Sequence, residues 1–180
     1  MIKIAWGITG SGDYLRESLD IIKEICNEYD VRIDIFLSRE GEIVLKFYKY
    51  IQEVQEICTN TFTEKGPNIP FLSGKLQMGK YKAFIICPAT ANTVAKLAHG
   101  IADSLITNSA AQAMKVDVPV YIYPVDQKPG TVVTKLPDGR DLTIRIRDVD
   151  IKNVEILKDM QGITVLEKVE QLKNVITTLL

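Results

Sequence analysis

The sequence predicts an α/β fold with three α-β-α layers, a parallel β-sheet between two layers of helices, and a C-terminal β-hairpin appendage. Short apolar runs are separated by segments whose apolar residues recur with the period of an α-helix. Strands that alternate with helices in this way form a parallel sheet. The final third of the chain changes character, because two strand-like runs there flank a turn. Since 180 residues suit one domain, we expect a single domain over residues 1–180.

The first part of the chain predicts two strand–helix units. Ile2–Ile8 is the first strand, and the helix after it is predicted to begin near Asp13 as its N-cap residue. Val31–Leu37 is the second strand. The helix that follows has one apolar face, which is typical of the core or of a subunit interface. That face consists of Ile43, Phe47, Tyr50, Ile51, Val54 and Ile57.

The middle of the chain predicts two more strands and two more helices. Residues 59–80 are punctuated by glycine and proline and predict a long loop with one helical turn, a length usually found in functional loops or lids. The third strand, Ala83–Ile86, leads into a helix over Val94–Ala98. A helix over Ser104–Met114 precedes the fourth strand, Val118–Tyr123.

The last third predicts the appendage and the end of the domain. Thr131–Lys135 and Asp141–Arg147 flank the turn residues Pro137–Arg140, which is the pattern of a hairpin. A helix over Asp148–Met160, a short strand over Ile163–Leu166 and a C-terminal helix follow. Together the elements predict a Rossmann-like (flavodoxin-like) sheet, in which ligands bind beyond the carboxyl ends of the strands.

Composition argues against several classes of function. The 22 basic and 23 acidic residues are mixed along the chain, and no basic run is present, so nucleic acid is not an expected partner. No apolar run is long enough to cross a bilayer, and the N-terminus enters a strand without the pattern of a signal peptide. We therefore expect a cytoplasmic protein without a membrane partner.

The cysteines do not form a metal or redox motif. Cys26, Cys58 and Cys87 are widely spaced, and an iron–sulfur cluster within one chain would usually need four thiolates. We expect three reduced thiols, with Cys26 and Cys87 buried, and no metal site. Cys87 borders the candidate site, which leaves a reactive role for its thiol open.

Small polar residues follow three of the predicted strands and indicate a ligand site at one edge of the sheet. These residues are Thr9, Gly10, Ser11 and Gly12, then Ser38, and then Thr90, Asn92 and Thr93. The glycines would let the backbone approach a phosphate at a helix N-terminus, and Ala89 and Ala91 leave room for a flat ring. Helix N-caps and a tight turn would explain the same residues, so the local pattern leaves both interpretations open.

Two common nucleotide sites do not fit this pattern. Gly7, Gly10 and Gly12 are not spaced as G-x-G-x-x-G, and Ser38 follows the second strand where a dinucleotide site prefers an acidic residue. The sequence also lacks GxxxxGK[ST], so a P-loop is not supported.

The segment after the third strand carries a family resemblance. Pro88-Ala89-Thr90-Ala91-Asn92-Thr93 resembles the Pro-Ala-Ser-Ala-Asn-Thr motif of the homo-oligomeric FMN-binding flavoproteins, which include the peptidyl-cysteine and phosphopantothenoylcysteine decarboxylases. Lys96–Leu105 and the opening Gly7–Gly12 are similar to the corresponding family segments. Within the superfamily the chain is most similar to the archaeoflavoproteins and the flavoprotein-type dihydromethanopterin reductases. The tail segments Leu136–Arg140 and Thr143–Arg147 fit that branch.

The resemblance implies FMN as the cofactor. It assigns the phosphate to the turn Thr9–Gly12 and to Ser38, and the ribityl chain or ring to Ala89–Thr93, where Asn92 would tune the flavin. Asp103 and Val125 are further candidate cofactor contacts. Members of the family assemble from trimers with FMN near subunit boundaries, so the resemblance also implies a trimer-based homo-oligomer.

Departures from the family favour redox chemistry over decarboxylation. The decarboxylases carry Pro-x-Met-Asn after the fourth strand, where this chain has Pro124-Val125-Asp126-Gln127. They also use a histidine between the second and third strands, whereas the one histidine here is His99. The resemblance therefore implies a redox flavoprotein that takes electrons from ferredoxin or another iron–sulfur donor and passes them to a reductase or a pterin. The alternatives are an FMN-dependent dihydromethanopterin reductase and, less favoured, a decarboxylase.

Overall fold

The protein, described here over residues 1–57 and 60–180 by a computed structural model, is built on a six-stranded parallel sheet of order β3-β2-β1-β4-β5-β8. A separate antiparallel pair, β6 and β7, forms a hairpin. The strands are β1 Ile2–Ile8, β2 Val31–Leu37, β3 Asn60–Thr63, β4 Ala83–Ala89, β5 Val120–Pro124, β6 Thr131–Lys135, β7 Asp141–Arg145 and β8 Ile163–Val165. The predicted α/β fold with a hairpin appendage is confirmed.

Helices cover both faces of the sheet. They are α1 Leu15–Glu28, α2 Arg39–Phe47, α3 Ile51–Ile57, α4 Leu72–Gln77, α5 Ala91–Ala98, α6 Leu105–Met114, α7 Asp148–Lys158 and α8 Gln171–Leu179. Successive residues of β1 point to opposite faces: Trp6 packs in the cluster with α1 and α8, and Ala5 in the cluster with α4, α5, α6 and α7. This burial on two sides explains why β1 and β4 are almost continuously apolar.

The strand order places a crevice at the middle of the sheet. β1 pairs with β2 on one side and with β4 on the other, so the chain proceeds outward from the centre in two directions. In an open parallel sheet, the carboxyl ends of the strands at such a reversal diverge and leave room for a ligand. The polar turns identified in the sequence lie at this edge.

The prediction for residues 59–80 was right about a short helix, which is α4, but it missed β3 in the described part of the segment. β3 pairs with the end of β2, and Asn60 donates to the buried carboxylate of Asp34 over 2.9 Å. A four-residue strand with three polar residues lacks the apolar pattern that identifies a strand. Cys58, predicted as a reduced thiol, and Thr59 lie outside the described residues.

Two helix boundaries also differ from the prediction. The single helix expected over residues 43–57 is interrupted after Phe47, and Lys49 adopts φ +61° at the break. The apolar spacing continues across the break, so the sequence pattern does not reveal it. α1 begins at Leu15, with Tyr14 rather than Asp13 at the N-cap position, and no side chain caps the helix there.

The hairpin is held to the domain at few points. Both of its strands are largely exposed, although an isolated two-stranded pair is marginally stable in water. The Tyr48 hydroxyl donates to the Lys135 carbonyl oxygen and so attaches the hairpin to the residue after α2. The Ile146 amide donates to the Gly130 carbonyl oxygen over 3.0 Å, which closes the hairpin's own ladder at its base. The hairpin therefore connects the end of β5 to the start of α7.

Neither a membrane span nor a metal cluster is found in the part of the chain that the structure describes. Within it, no helix has the length and apolar character needed to cross a membrane. The same residues contain no group of three or more His, Cys, Asp or Glu side chains that could hold a metal ion.

Candidate functional site

Three helices begin at one cleft beyond the carboxyl ends of β1, β2, β3 and β4, and each is capped by a hydroxyl. Ser38 caps α2 by accepting from Gly41 N over 3.0 Å, Thr90 caps α5 by accepting from Thr93 N over 3.3 Å, and Ser104 caps α6 by accepting from Thr107 N over 3.2 Å. All three cap residues line the cleft, whose volume is about 720 Å³. Helix N-termini favour anions, so this convergence makes the cleft suited to a phosphate-bearing ligand.

Thr9 connects the two central strands at the base of the cleft. Its hydroxyl donates to the Pro88 carbonyl oxygen over 2.8 Å and accepts from the Thr90 amide over 2.9 Å. The Thr9 amide also donates to Pro88 over 3.2 Å. A single buried side chain thus fixes both the end of β4 and the cap of α5.

The glycines of the first turn allow close packing against α2 and the residues after it. A Cβ on Gly10 would lie 2.5 Å from the Cβ of Glu40, and one on Gly12 would overlap the Tyr48 hydroxyl. Because glycine has no side chain, the turn packs directly against α2 and Tyr48. This finding supports the tight-turn interpretation for Gly12, and Gly10 also lines the cleft.

Charged side chains of both signs surround the cleft. Lys96 donates to both oxygens of Asp103 over 2.8 and 3.0 Å, and this contact lowers the pKa of Asp103. Glu64 accepts from the Leu105 amide over 3.2 Å, so its carboxylate lies at the N-terminus of α6. Arg39 adds a second cation at the start of α2. A ligand in the cleft would therefore meet cationic and anionic side chains on several sides.

One wall of the cleft is apolar and open to solvent. Ile43 and Phe47 of α2 are 44% and 63% exposed, and Val44 lies between them. Side chains of this kind are normally covered by a ligand or another protein surface when they lie together in a concave site. The wall could therefore pack against the flat face of a ring.

The structure brings together seven of the twelve sequence-predicted site residues as lining of the cleft. They are Thr9, Gly10, Ser38, Thr90, Asn92, Thr93 and Asp103. The other five do not line the cleft. Ser11, Gly12, Ala89 and Ala91 lie within two residues of its lining in the sequence, whereas Val125 lines a different cavity beyond the end of β5. Ser11 donates to the Asp13 carbonyl oxygen, and the Val125 amide donates to the Ala89 carbonyl oxygen over 3.0 Å. The role of these five residues in binding stays a prediction.

Sequence reasoning missed the contribution of α2 and of the residue after β3. The missed lining residues are Arg39, Glu40, Ile43, Val44, Phe47 and Glu64. The four-residue spacing of Ile43 and Phe47 was visible, but it was assigned to the core or a subunit interface. Glu64 carried no signal, because β3 itself was not predicted.

Two residues whose roles were open in the sequence lie away from this chemistry. Cys87 is fully buried beside Ser18, with 3.2 Å between Sγ and Oγ, and burial raises the pKa of its thiol to about 12. A thiol that stays protonated is a poor nucleophile. His99 lies outside the cleft, where its Nε2 is 3.0 Å from Oδ1 of Asn153 on α7. Cys26, expected to be buried, is only half-buried.

The family profile described as Flavoprotein matches residues 1–178. The chain belongs to the flavoprotein family. The expected family resemblance is therefore confirmed over almost the whole chain, including the hairpin and the C-terminal helix that lie beyond the motifs.

Two relatives of this flavoprotein match it over almost its whole length. It is 54% identical over 176 residues to an uncharacterized protein of Methanocaldococcus jannaschii, covering 98% of this chain and 95% of that protein. It is 31% identical over 231 residues to a protein of Methanosarcina mazei named dihydromethanopterin reductase (acceptor), covering 93% of this chain and 96% of that protein. The branch of the family expected from the sequence is thus confirmed.

A solved structure shares the fold of this flavoprotein closely. The structure of DmrB from Burkholderia xenovorans in complex with FMN, described as a cubic protein cage for redox transfer, is 34% identical with a TM-score of 0.83. The match covers 98% of this chain and 94% of DmrB. The fold of this chain is therefore one that binds FMN in a relative.

Proposed function

We propose that the cleft binds FMN and that the protein is a redox flavoprotein. The observation that carries the proposal is the convergence of three hydroxyl-capped helix N-termini, at Ser38, Thr90 and Ser104, on one cleft with an apolar wall. Helix N-termini suit the phosphate, side-chain hydroxyls and Asn92 suit the ribityl chain and ring edge, and Ile43 and Phe47 suit the ring face. A volume of about 720 Å³ suits a ligand of this size. The FMN-bound DmrB structure supports the same cofactor.

The chain's own residues would hold and orient the cofactor rather than perform acid–base chemistry on it. Bound FMN supplies reversible acceptance of electrons. Thr9 fixes the end of β4 and the α5 cap, Lys96 and Asp103 set the charge on one side, and the apolar wall excludes water from the ring face. With the residues positioning the cofactor and the cofactor carrying the electrons, redox function does not require a nucleophilic side chain.

The phosphate assignment is tested by two variants that differ in charge alone. Asp and Asn both cap helices well, so Ser38→Asp and Ser38→Asn should each preserve α2. Ser38→Asp adds a negative charge where the phosphate would bind, and we expect it to weaken FMN binding by at least about tenfold, or roughly 1.4 kcal/mol. Ser38→Asn should bind FMN nearly as the unchanged protein does. Absorbance titration with FMN measures both, and equal affinities would contradict the assignment.

The proposed electron donor is ferredoxin or another small iron–sulfur protein. The test is the visible spectrum of the FMN-loaded protein during anaerobic addition of reduced ferredoxin. Bleaching of the flavin bands supports the role. If the FMN-loaded protein stays oxidised with ferredoxin but is reduced by dithionite, this class of donor is excluded. The proposal that the protein binds FMN would still stand.

A second candidate function is reduction of a dihydropterin by the bound flavin. The relative from Methanosarcina mazei named dihydromethanopterin reductase (acceptor) supports it. Anaerobic mixing of the reduced protein with a dihydropterin should reoxidise the flavin with one tetrahydropterin formed per flavin. If the flavin stays reduced with the pterin but is reoxidised by a protein acceptor, the carrier function is favoured instead.

Decarboxylation is less favoured by the segment after β5. Gln127, which stands where the decarboxylases have asparagine, donates to the carbonyl oxygens of Pro124 and Leu166 over 2.9 and 3.1 Å. Its amide nitrogen therefore joins β5 to the chain after β8. Release of carbon dioxide from a cysteine-containing substrate would support a decarboxylase after all.

A homo-oligomer is proposed as the working form. DmrB forms a cubic cage, and the exposed apolar wall of the cleft in this chain suits cover by a second copy. Light scattering of the FMN-loaded protein measures the assembly. A monomer that retains FMN would contradict a site shared between copies.

A further inference from the structure

Glu64 is held at the cleft by the strand before it and by the helix that it contacts. Its amide donates to the Leu37 carbonyl oxygen over 2.9 Å, which extends the pairing of β3 with β2 by one residue. Its side-chain Oε1 accepts from the Leu105 amide over 3.2 Å at the first residue of α6. Because backbone and side chain are both bonded, the carboxylate has a fixed place in the lining of the cleft.

Glu64 also carries the one charge of the cleft that no close partner neutralises. The charged lining residues are two cations, Arg39 and Lys96, and three carboxylates, those of Glu40, Glu64 and Asp103. Lys96 pairs with Asp103 over 2.8 Å, whereas Arg39 and Glu40 are exposed neighbours at the start of α2. Within the described part of the chain, Glu64 takes part in no salt bridge. The lining therefore has one negative charge in excess, and we assign it to Glu64.

The N-terminus of α6 stabilises this charge and is thereby closed to a second anion. A carboxylate at a helix N-terminus interacts favourably with the helix dipole, and a glutamate side chain is ionised at neutral pH. Glu64 accepts from the first amide of the helix, and the Ser104 hydroxyl accepts from the Thr107 amide over 3.2 Å. A phosphate at this helix end would have to displace the Glu64 carboxylate or lie against it.

α2 and α5 keep the backbone amides that an anion could use. Their capping hydroxyls, on Ser38 and Thr90, each accept from a single amide in the third position of the helix. Over residues 1–57 and 60–180, no hydrogen bond engages the first two amides of either helix. The phosphate of the proposed cofactor therefore suits these two helix ends. A ligand that fills the cleft then extends its uncharged part toward α6, where Glu64 and Ser104 complete the lining.

A fixed carboxylate on that side would oppose reduction of the ring. Reduction adds electrons to the ring, and a nearby negative charge raises the energy of the electron-rich form. Glu64 is half-buried, so salt screens its charge less than it screens the charge of the exposed Glu40. The expected effect is a lower reduction potential, which makes the reduced protein a stronger electron donor.

We infer that the charge of Glu64 lowers the reduction potential of the flavin bound in the cleft. This inference rests on the proposed function, because it requires FMN in the cleft. It adds a residue that sets how strongly the protein donates electrons. It also gives Glu64 an electrostatic role that is separate from its hydrogen bond to α6.

Glu64→Gln separates these two roles. Glutamine keeps an oxygen that accepts from the Leu105 amide but carries no charge. At a fixed solution potential we expect the ratio of reduced to oxidised flavin to rise by at least about tenfold, or about 30 mV for a two-electron couple. Anaerobic reduction of the FMN-loaded protein beside a reference dye measures the potential. Titrations with oxidised and with reduced FMN give the same factor independently, because the two affinities and the potential are linked.

Glu40→Gln is the matched control, because it removes the same charge from an exposed side chain that lines the cleft at α2. The phosphate near α2 has the same charge whether the ring is oxidised or reduced. We therefore expect Glu40→Gln to change the affinities for oxidised and reduced FMN alike, which leaves the potential unchanged.

Glu64→Asp distinguishes charge from the bond to α6, because it keeps the carboxylate and shortens the side chain. Its potential should stay near that of the unchanged protein. The inference is overturned if Glu64→Gln leaves the potential unchanged, or if Glu64→Asp or Glu40→Gln raises it as much as Glu64→Gln does; FMN binding would still stand. If the unchanged protein takes up no FMN, the proposed function fails and the inference fails with it.

Discussion

Thr9 shows how a single side chain organises the site. Its hydroxyl is almost fully buried, donates to one strand and accepts from the residue that caps α5. A buried hydroxyl in this position keeps two backbone groups satisfied that would otherwise lack partners. The same residue lines the cleft, so support of the fold and formation of the site coincide at this position.

We expect Thr9→Val to lower the free energy of unfolding by about 1–3 kcal/mol, because an isosteric apolar side chain leaves the Thr90 amide and one acceptor position of Pro88 unpaired. Thr9→Ser retains the hydroxyl and is the matched control. Urea denaturation of the FMN-free proteins measures the difference. Equal stability of the valine and serine variants would show that the bond contributes nothing to folding.

Asp126 should make stability depend on pH. Burial, and then the nearby carboxylates of Asp150 and Asp13, raise its pKa in the folded protein, with Arg147 opposing. A raised carboxyl pKa means that ionisation of Asp126 lowers the free energy of unfolding. This destabilisation is absent below about pH 3.9, the pKa of an unfolded aspartate, and grows as the pH rises through the folded pKa. Asp126→Asn should therefore stabilise the protein at neutral pH, by about 0.5 kcal/mol after solvent screening, and have no effect in acid.

The control for Asp126→Asn is a variant whose effect on stability at neutral pH should have the opposite sign. Hydrogen bonds from Arg140 lower the pKa of Asp138 at the hairpin turn. Removing this charge with Asp138→Asn should destabilise the protein at neutral pH. The loss should shrink below the ordinary aspartate pKa and vanish as the pH falls through the lower pKa of the folded state. Thermal unfolding across pH measures both variants. A neutral-pH gain from Asp126→Asn that persists in acid would contradict the electrostatic explanation.

At the scale of elements, helix ends form the site and the hairpin remains peripheral to it. α2 follows β2, α5 follows β4 and α6 follows α5, yet all three direct their capped N-termini into one cleft. The hairpin depends on contacts with the rest of the chain, since its own strands are largely exposed. The capped helix ends and the loosely attached hairpin therefore differ in local stability.

Removing one hydroxyl should loosen the hairpin. We expect Tyr48→Phe to accelerate amide exchange in residues 131–145 by several-fold, because the Tyr48 hydroxyl donates to the Lys135 carbonyl oxygen. Tyr50→Phe is the control, since the Tyr50 ring stacks on Tyr48 and carries Arg16 over its face. Hydrogen exchange followed by mass spectrometry measures both. Unchanged exchange in Tyr48→Phe would show that other contacts hold the hairpin.

The predictability of each element followed the strength of its local pattern. β1 and β4 are buried on two sides and gave nearly continuous apolar runs. β2 kept a recognisable β-branched pattern around Arg32 and Asp34, and the hairpin was marked by its turn residues, so these elements were predicted correctly. β3 has four mostly polar residues and forms through pairing with β2, a long-range contact without a local signal. The break at Lys49 was hidden because the apolar spacing runs through it. The motif residues of the cleft were found in the sequence, whereas Glu64 depended on β3.

At the scale of the whole molecule, apolar side chains remain exposed outside the cleft. Ile69, Phe71 and Met78 flank α4 in the sequence, and each is more than half exposed. Exposed apolar side chains are typical of contacts between proteins when they lie together. The surface around α4 is therefore a candidate contact between copies in the proposed homo-oligomer.

A charge placed in that surface should reduce the assembly. We expect Met78→Glu to lower the mass measured by light scattering, because an ionised carboxylate is costly to bury in an apolar contact. Val149→Glu, on an exposed part of α7, is the control and should leave the mass unchanged. An unchanged mass in Met78→Glu would place the contact elsewhere.

The exposed apolar wall of the cleft also bears on how cofactor affinity responds to dilution. Ile43 and Phe47 line the cleft and are 44% and 63% exposed. A second copy of the chain that covers this wall would remove apolar surface from water beside the bound ring. We therefore expect a diluted, dissociated protein to bind FMN more weakly than the concentrated assembly does, and absorbance titration at two protein concentrations measures the difference.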